Sequence, residues 1–142
     1  MKKFLIICIL VLTSIVSNAQ SVMLFTRRII LDKFDDTILD ERKKTLVTIK
    51  SDTLIIEEKG CNPVVLKLNN LIDFEGSKDN IVNLYDNVYG YQTVYYCCNE
   101  DNTPFIFVYR VIADKYSKSI TDEIVWLERL DASRIVYMRE VE

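Results

Sequence analysis

The chain has 142 residues, of which 49% are hydrophobic and 27% charged, and its net charge is −3. A chain of this length forms a single domain, and its acidic balance argues against a nucleic acid as partner, because that binding depends on Lys and Arg neutralising phosphates. The chain contains no histidine, which excludes the Ser-His and Cys-His nucleophile pairs and the commonest metal ligand.

The first residues have the three parts of a secretory signal peptide. Two lysines precede an apolar run at residues 4–16 and a small-x-small site that ends at Ala19. We therefore expect removal of residues 1–19 and a mature single domain of residues 20–142, periplasmic or extracellular. The apolar run is shorter than the about 20 residues of a transmembrane helix, and no later run is longer, so no transmembrane segment is predicted.

The first half of the mature domain has the composition of β-strands. Residues 22–31 are rich in β-branched and apolar side chains. Residues 44–58 alternate polar and apolar side chains on either side of a turn at residues 51–52, which is typical of a hairpin. Residues 64–68 predict the next strand, so the simplest arrangement is a three-stranded meander.

Residues 78–89 fit two structures. Ile81, Leu84 and Val88 recur at three- and four-residue spacing after a capping Ser77, which favours a short helix. The asparagines between them are poor helix formers, so a strand stays open as the alternative.

Residues 91–110 are the clearest hairpin of the chain. Two runs of β-branched and aromatic residues flank turn formers at residues 99–104. Both faces of both runs are apolar. This predicts that the hairpin lies in the middle of the sheet or has other parts of the protein packed on both faces. Residues 99–102 could offer oxygen ligands to calcium, but they lack the glycine and terminal glutamate of a full calcium loop, and we interpret them as a polar turn.

The last elements complete a β protein. Residues 121–130 fit both a strand and a helix, and the β-rich neighbourhood favours a strand that pairs with residues 134–139. The whole pattern predicts a mainly β fold, an antiparallel sandwich or small barrel of about seven or eight strands, with one short helix around residues 78–89 as the open variant.

Three cysteines remain after the signal peptide, namely Cys61, Cys97 and Cys98. In an oxidising compartment this odd number predicts one disulfide and one free thiol. Neighbours on a strand point to opposite faces, so we expect Cys61 to pair with either Cys97 or Cys98, with three buried reduced thiols as the alternative. The spacing matches neither a redox pair nor a zinc finger, and no metal or other cofactor is predicted.

Aromatic residues are the feature that points to a function. The chain has eight tyrosines, six phenylalanines and one tryptophan. Tyrosine and tryptophan have an apolar body and a polar tip, so they could line a calyx or a stacking platform for a sugar or peptide; otherwise they are core residues of a small sheet. The predicted ligand-binding residues are Tyr91, Tyr95, Tyr96, Tyr109 and Trp126.

In its layout the chain resembles the small exported bacterial β-proteins of unknown function. The likeness lies in the Asn-Ala-Gln end of the signal peptide, the β-meander and strands such as residues 94–97 and 135–137. It implies export and a β fold, and it carries no site residues across.

Two functions of different class remain. The first is a non-catalytic binding or interaction protein of the bacterial envelope, with a ligand or envelope protein as its unidentified partner. The second is a carboxylate-dependent hydrolase such as a glycosidase, which needs two carboxylates about 5–10 Å apart. Acids are plentiful but lie in no signature: Asp73, Glu75, Asp86, Glu100, Asp101 and Glu128. A third possibility, a structural envelope component that acts by edge-strand pairing, differs from the first by lacking any pocket.

Overall fold

The computed structural model describes residues 20–139, so the expected signal peptide at residues 1–19 lies outside the described residues. Within the described range the chain forms nine strands and no helix, which confirms the predicted β fold. The strands are β1 (Gln20–Leu31), β2 (Thr37–Lys50), β3 (Thr53–Glu58), β4 (Val64–Glu75), β5 (Val82–Tyr85), β6 (Val88–Cys98), β7 (Pro104–Ala113), β8 (Ile120–Glu128) and β9 (Arg134–Met138).

Eight of the strands form a closed antiparallel barrel. Their order is β4-β3-β2-β1-β9-β8-β7-β6, and pairing of β4 with β6 closes the ring. The extra strand β5 pairs with the start of β6 through Val82 and Gly90, on the same edge that β4 occupies further along. Of the two predicted architectures, the molecule therefore adopts the barrel.

The hairpin turns lie at the two ends of the barrel, because strands joined by a hairpin run in opposite directions; β4 and β5 instead run the same way, since both pair antiparallel with β6. One end, which we call the apolar end, carries the turns at residues 32–36, 59–63, 99–103 and 129–133. The other, which we call the tyrosine end, carries the connections at residues 51–52, 76–81, 86–87 and 114–119.

The helix considered for residues 78–89 is wrong. Residues 82–85 of this segment form β5, in which half-buried Val82 and Leu84 alternate with exposed residues. A two-residue turn at Asp86 and Asn87 follows, with φ values of 41° and 64°. Both residue types tolerate the left-handed backbone that a tight hairpin turn requires, so turn chemistry overrides the helical spacing. Residues 121–128 belong to β8, which confirms the strand predicted there.

Inward-facing side chains fill the middle of the barrel. Seven strands each contribute a side chain that is at most 1% exposed: Phe25, Val47, Leu54, Leu66, Cys97, Phe107 and Val125. On each strand the neighbours of this side chain point outward, because successive strand residues point to opposite faces. Eight strands leave an interior just wide enough for side chains to fill, so the open spaces of this barrel lie towards its ends.

A charged cluster lies inside the barrel wall near the apolar end. The carboxylate of Glu58 accepts hydrogen bonds from Arg28 at 2.9 Å and from the hydroxyl of Tyr137 at 3.0 Å. The ammonium of Lys43 lies 3.2 Å from the same carboxylate, and Arg28 also pairs with Glu41. Burial opposes ionisation of Glu58, but the hydrogen bonds and the neighbouring positive charges outweigh it and lower the pKa of this carboxyl.

Candidate functional site

A cavity of about 550 Å³ opens at the tyrosine end of the barrel. We call it the tyrosine cavity. Its lining combines three phenols with one carboxylate, one guanidinium and a few aliphatic side chains: Ser21, Val22, Met23, Ile49, Tyr91, Thr93, Tyr95, Tyr109, Glu123 and Arg139. Small-molecule sites have this character, with a few polar groups set among apolar walls.

Strand periodicity explains why the tyrosines meet. Tyr91, Thr93 and Tyr95 lie two residues apart on β6 and therefore share its inward face. On the neighbouring strand β7, Tyr109 is the register partner of Thr93 and so stands between the two β6 tyrosines. The ring of Tyr95 packs against core residue Phe107, with 6.4 Å between ring centroids. The cavity wall is thus continuous with the packed centre of the barrel.

A polar network fixes one side of the cavity. The hydroxyl of Tyr109 donates to Oε1 of Glu123 at 3.2 Å, and Arg139 donates to Oε2 of the same carboxylate at 2.8 Å. Nε of Arg139 donates to the backbone oxygen of Leu24 at 3.3 Å. Both oxygens of Glu123 are engaged, so this carboxylate acts as a structural acceptor.

Two phenols of the cavity, Tyr91 and Tyr109, have raised pKa values and stay protonated at neutral pH. Burial raises the pKa of Tyr109, and the negative charge of Glu123 raises it further. Burial and Glu123 act in the same direction on the pKa of Tyr91. The cavity therefore offers hydroxyl groups and flat aromatic faces to a ligand, with its carboxylate neutralised by an arginine.

Two of the five predicted ligand-binding residues lie elsewhere. Tyr96 alternates with Tyr95 and points outward, where it is 40% exposed. Trp126 lies on the outer face of β8, where Arg110 stacks on its ring at 4.6 Å and on the ring of Tyr85 at 5.0 Å. The structure thus brings Tyr91, Tyr95 and Tyr109 together and separates them from Tyr96 and Trp126.

The sequence reasoning missed the charged partners of the tyrosines. Glu123 lies two residues before Val125 and four before Leu127 on β8. Strand alternation therefore places it on the same inward face, and this signal could have identified it. Arg139 directly follows β9 and had no such signal. Its role depends on β8 and β9 being neighbours, with Val125 opposite Tyr137.

The predicted disulfide is absent, since Cys61, Cys97 and Cys98 are all free thiols. Cys97 faces the core, where burial raises the pKa of its thiol to about 12. Cys61 lies in the exposed turn after β3, with the ammonium of Lys43 at 3.6 Å from its sulfur. Cys98 points to the other face of β6, where the Asn69 side chain contacts its sulfur. Barrel closure assigns the three thiols to separate environments.

The acids considered for a hydrolase do not form a site. All but Glu128 are exposed, and they are spread over both ends of the barrel: Asp73, Glu75, Asp86, Glu100, Asp101 and Glu128. The enclosed carboxylates Glu58 and Glu123 are each paired with an arginine. In the turn considered for calcium, the side chain of Asn99 accepts hydrogen bonds from the backbone of its own turn, at Asp101 and Thr103.

Residues 20–139 include no cluster of three or more Cys, Asp or Glu side chains that could hold a metal ion. Over the same range there is no helix of the length and apolar character needed to cross a membrane. No family model, curated protein or solved structure matches the chain.

Proposed function

We propose that the protein is an exported, non-catalytic binding protein of the bacterial envelope, and that it holds a small uncharged ligand, of the size and chemistry of a sugar, in the tyrosine cavity. The observation that carries the proposal is the convergence of Tyr91, Tyr95 and Tyr109 on one cavity. The packed centre of the barrel gives this space a closed floor, so a ligand entering it would be held by its walls.

The lining defines the ligand class. The volume of about 550 Å³ lies within the range of about 300–1,000 Å³ that small-molecule pockets occupy. Aromatic faces suit the apolar face of a sugar ring, and phenolic hydroxyls suit its polar edge. Glu123 and Arg139 neutralise one another at 2.8 Å, so the cavity has no net charge to attract an ion.

The test is calorimetric titration of the purified mature protein with a panel of neutral mono- and disaccharides. Tyr95→Ala removes one cavity wall and should weaken binding of the best sugar at least tenfold, or by about 1.4 kcal/mol. Tyr96→Ala is the matched control, because this neighbour points outward and does not line the cavity. Tyr109→Phe removes a single hydroxyl and should weaken binding about threefold to tenfold.

Circular dichroism establishes that each variant is folded before it is titrated. Failure of every sugar to bind the folded wild type would contradict the proposed ligand class. Equal losses for Tyr95→Ala and Tyr96→Ala would contradict the proposed site.

Export has a separate test. Protein recovered from the envelope fraction or the medium of its own host should have Gln20 as its first residue, which intact mass spectrometry can establish. Recovery of full-length chain starting at Met1, in the cytoplasmic fraction, would overturn this part of the proposal.

A further inference from the structure

A second cavity, of about 610 Å³, lies at the apolar end, opposite the tyrosine cavity. We call it the apolar cavity. Its main walls come from five barrel strands and the β8–β9 turn, and they are aliphatic or aromatic: Ile56, Val64, Phe105, Leu127, Leu130 and Ile135. It shares no residue with the tyrosine cavity, so the two spaces can be tested independently.

The polar groups in this lining differ in whether they still have a hydrogen bond to give a ligand. Tyr137 is 4% exposed, and its hydroxyl is already bonded to Glu58, so it presents an aromatic face. At the rim, the carboxylate of Asp131 accepts hydrogen bonds from the backbone and hydroxyl of Ser133, at 2.9 and 2.6 Å.

Arg129 is a rim residue whose guanidinium has free hydrogen-bond donors. Its backbone nitrogen donates within the β8–β9 turn, but its guanidinium forms no hydrogen bond or ion pair with any of residues 20–139. The position is exposed. A guanidinium with free hydrogen-bond donors therefore stands at the entrance to an apolar space, and its charge also acts on the Asp131 carboxylate of the same rim.

The apolar side chains at the entrance also lack cover. Leu130 is 81% exposed and Val64 is 45% exposed, although both line the cavity. A hydrocarbon occupant would remove these side chains from water, which is favourable in proportion to the area covered. The cavity volume is again within the range of small-molecule pockets.

We propose that the apolar cavity binds a medium-chain monocarboxylate, with its hydrocarbon chain among the aliphatic walls and its carboxylate at the rim against Arg129. The free donors of Arg129 can bond a carboxylate head group, and the Asp131 carboxylate on the same rim, held by Ser133, offers none to it. This activity is additional to sugar binding at the tyrosine end and does not depend on it.

The experiment uses dodecanoate and dodecanol as probes, both below the concentrations at which they aggregate, in titration calorimetry with the mature protein. Val64→Glu places a carboxylate in the cavity wall and should weaken dodecanoate at least tenfold. Val65→Glu is the matched control, because this adjacent residue is 46% exposed and does not line the cavity. Arg129→Gln should weaken dodecanoate about threefold, as expected for an exposed ion pair, and leave dodecanol unchanged.

Saturable binding of dodecanoate that is lost with Val64→Glu and kept with Val65→Glu would support the site. Absence of dodecanoate binding to the folded wild type would overturn the proposal, as would equal losses in the two glutamate variants. Dodecanol binding as tightly as dodecanoate would overturn the role of Arg129. The sugar titration measures binding at the other end of the barrel, so Val64→Glu should leave sugar affinity unchanged. Loss of one of the two binding activities would therefore not contradict the other.

Discussion

The hydroxyl of Tyr137 donates a 3.0 Å hydrogen bond to Glu58, which lies 79 residues away in the chain. Tyr137 belongs to β9 and Glu58 to β3, and two strands separate them in the sheet. The bond therefore spans the interior of the barrel and joins strands that share no backbone hydrogen bonds.

Tyr137→Phe should lower the free energy of unfolding by about 1.5 kcal/mol, the lower end of the range for a hydrogen bond to a charged group, because Arg28 and Lys43 still contact Glu58. In urea unfolding the midpoint should fall while the slope stays the same. Tyr116→Phe is the control, since Tyr116 is 87% exposed. Equal midpoints for Tyr137→Phe and the control would show that the bond across the barrel contributes nothing.

Acid should remove the stabilisation that Glu58 provides. The folded state lowers the pKa of Glu58 below its usual value of 4.5, so its contribution is complete above that value and is lost as the pH falls through the folded pKa. The difference in unfolding free energy between wild type and Glu58→Gln should be constant from about pH 7 to about pH 5 and shrink below about pH 4.5. A difference that grows on acidification would contradict the assigned direction of the shift.

The cysteines should differ sharply in reactivity. The thiolate is the reactive form, and burial raises the pKa of Cys97 to about 12, whereas Cys61 is exposed. Iodoacetamide at about pH 8 should modify Cys61 in the native protein and reach Cys97 only after unfolding, as peptide mass spectrometry would show. Comparable modification of Cys61 and Cys97 in the native protein would contradict the burial of Cys97. Recovery of a disulfide-linked peptide would contradict the free thiols.

Gly90 is required where β6 approaches β7. A Cβ atom at this position would lie 1.8 Å from the backbone oxygen of Val111, so Gly90→Ala must separate the two strands. We expect a loss of about 4 kcal/mol or more, the range that indicates a steric defect, measured by thermal unfolding.

Gly60→Ala is the matched control for that substitution. A Cβ there would meet no atom within 4 Å, and the cost comes from its φ of +81° alone, about 1–2 kcal/mol. Similar melting temperatures for the two variants would refute the close approach.

The sequence predicts the parts of this fold that depend on local pattern. Two-residue alternation and turn formers located the β2–β3 and β6–β7 hairpins, and the inward face of β6 follows from the same alternation. Residues 78–89 were ambiguous because apolar residues near a tight turn can imitate helical spacing. The turn itself was signalled by Asp86 and Asn87, both of which adopt positive φ.

Long-range relations had no such signal. β4 pairs with β6 and not with the next strand in the chain, β5. The sequences of β4 and β6 contain no pattern that predicts this pairing, which closes the ring. In the closed barrel Cys61 lies in an exposed turn and Cys97 in the core. The number of cysteines carries no information on this separation, so the disulfide predicted from it is absent. The three tyrosines were predicted as a group, whereas Arg139 entered their network only through the neighbouring positions of β8 and β9.

The pairing of β1 with β9, with Arg27 opposite Met138, determines when the barrel can finish folding. Its first and last strands must find each other across nearly the whole described chain, so ring closure waits until the β8–β9 hairpin exists. Folding dominated by such distant pairings is slow, on the order of milliseconds to seconds. Before that step β1 has a bare edge beside the hairpin it forms with β2, and it is this edge that a chaperone would need to shield in a newly made chain.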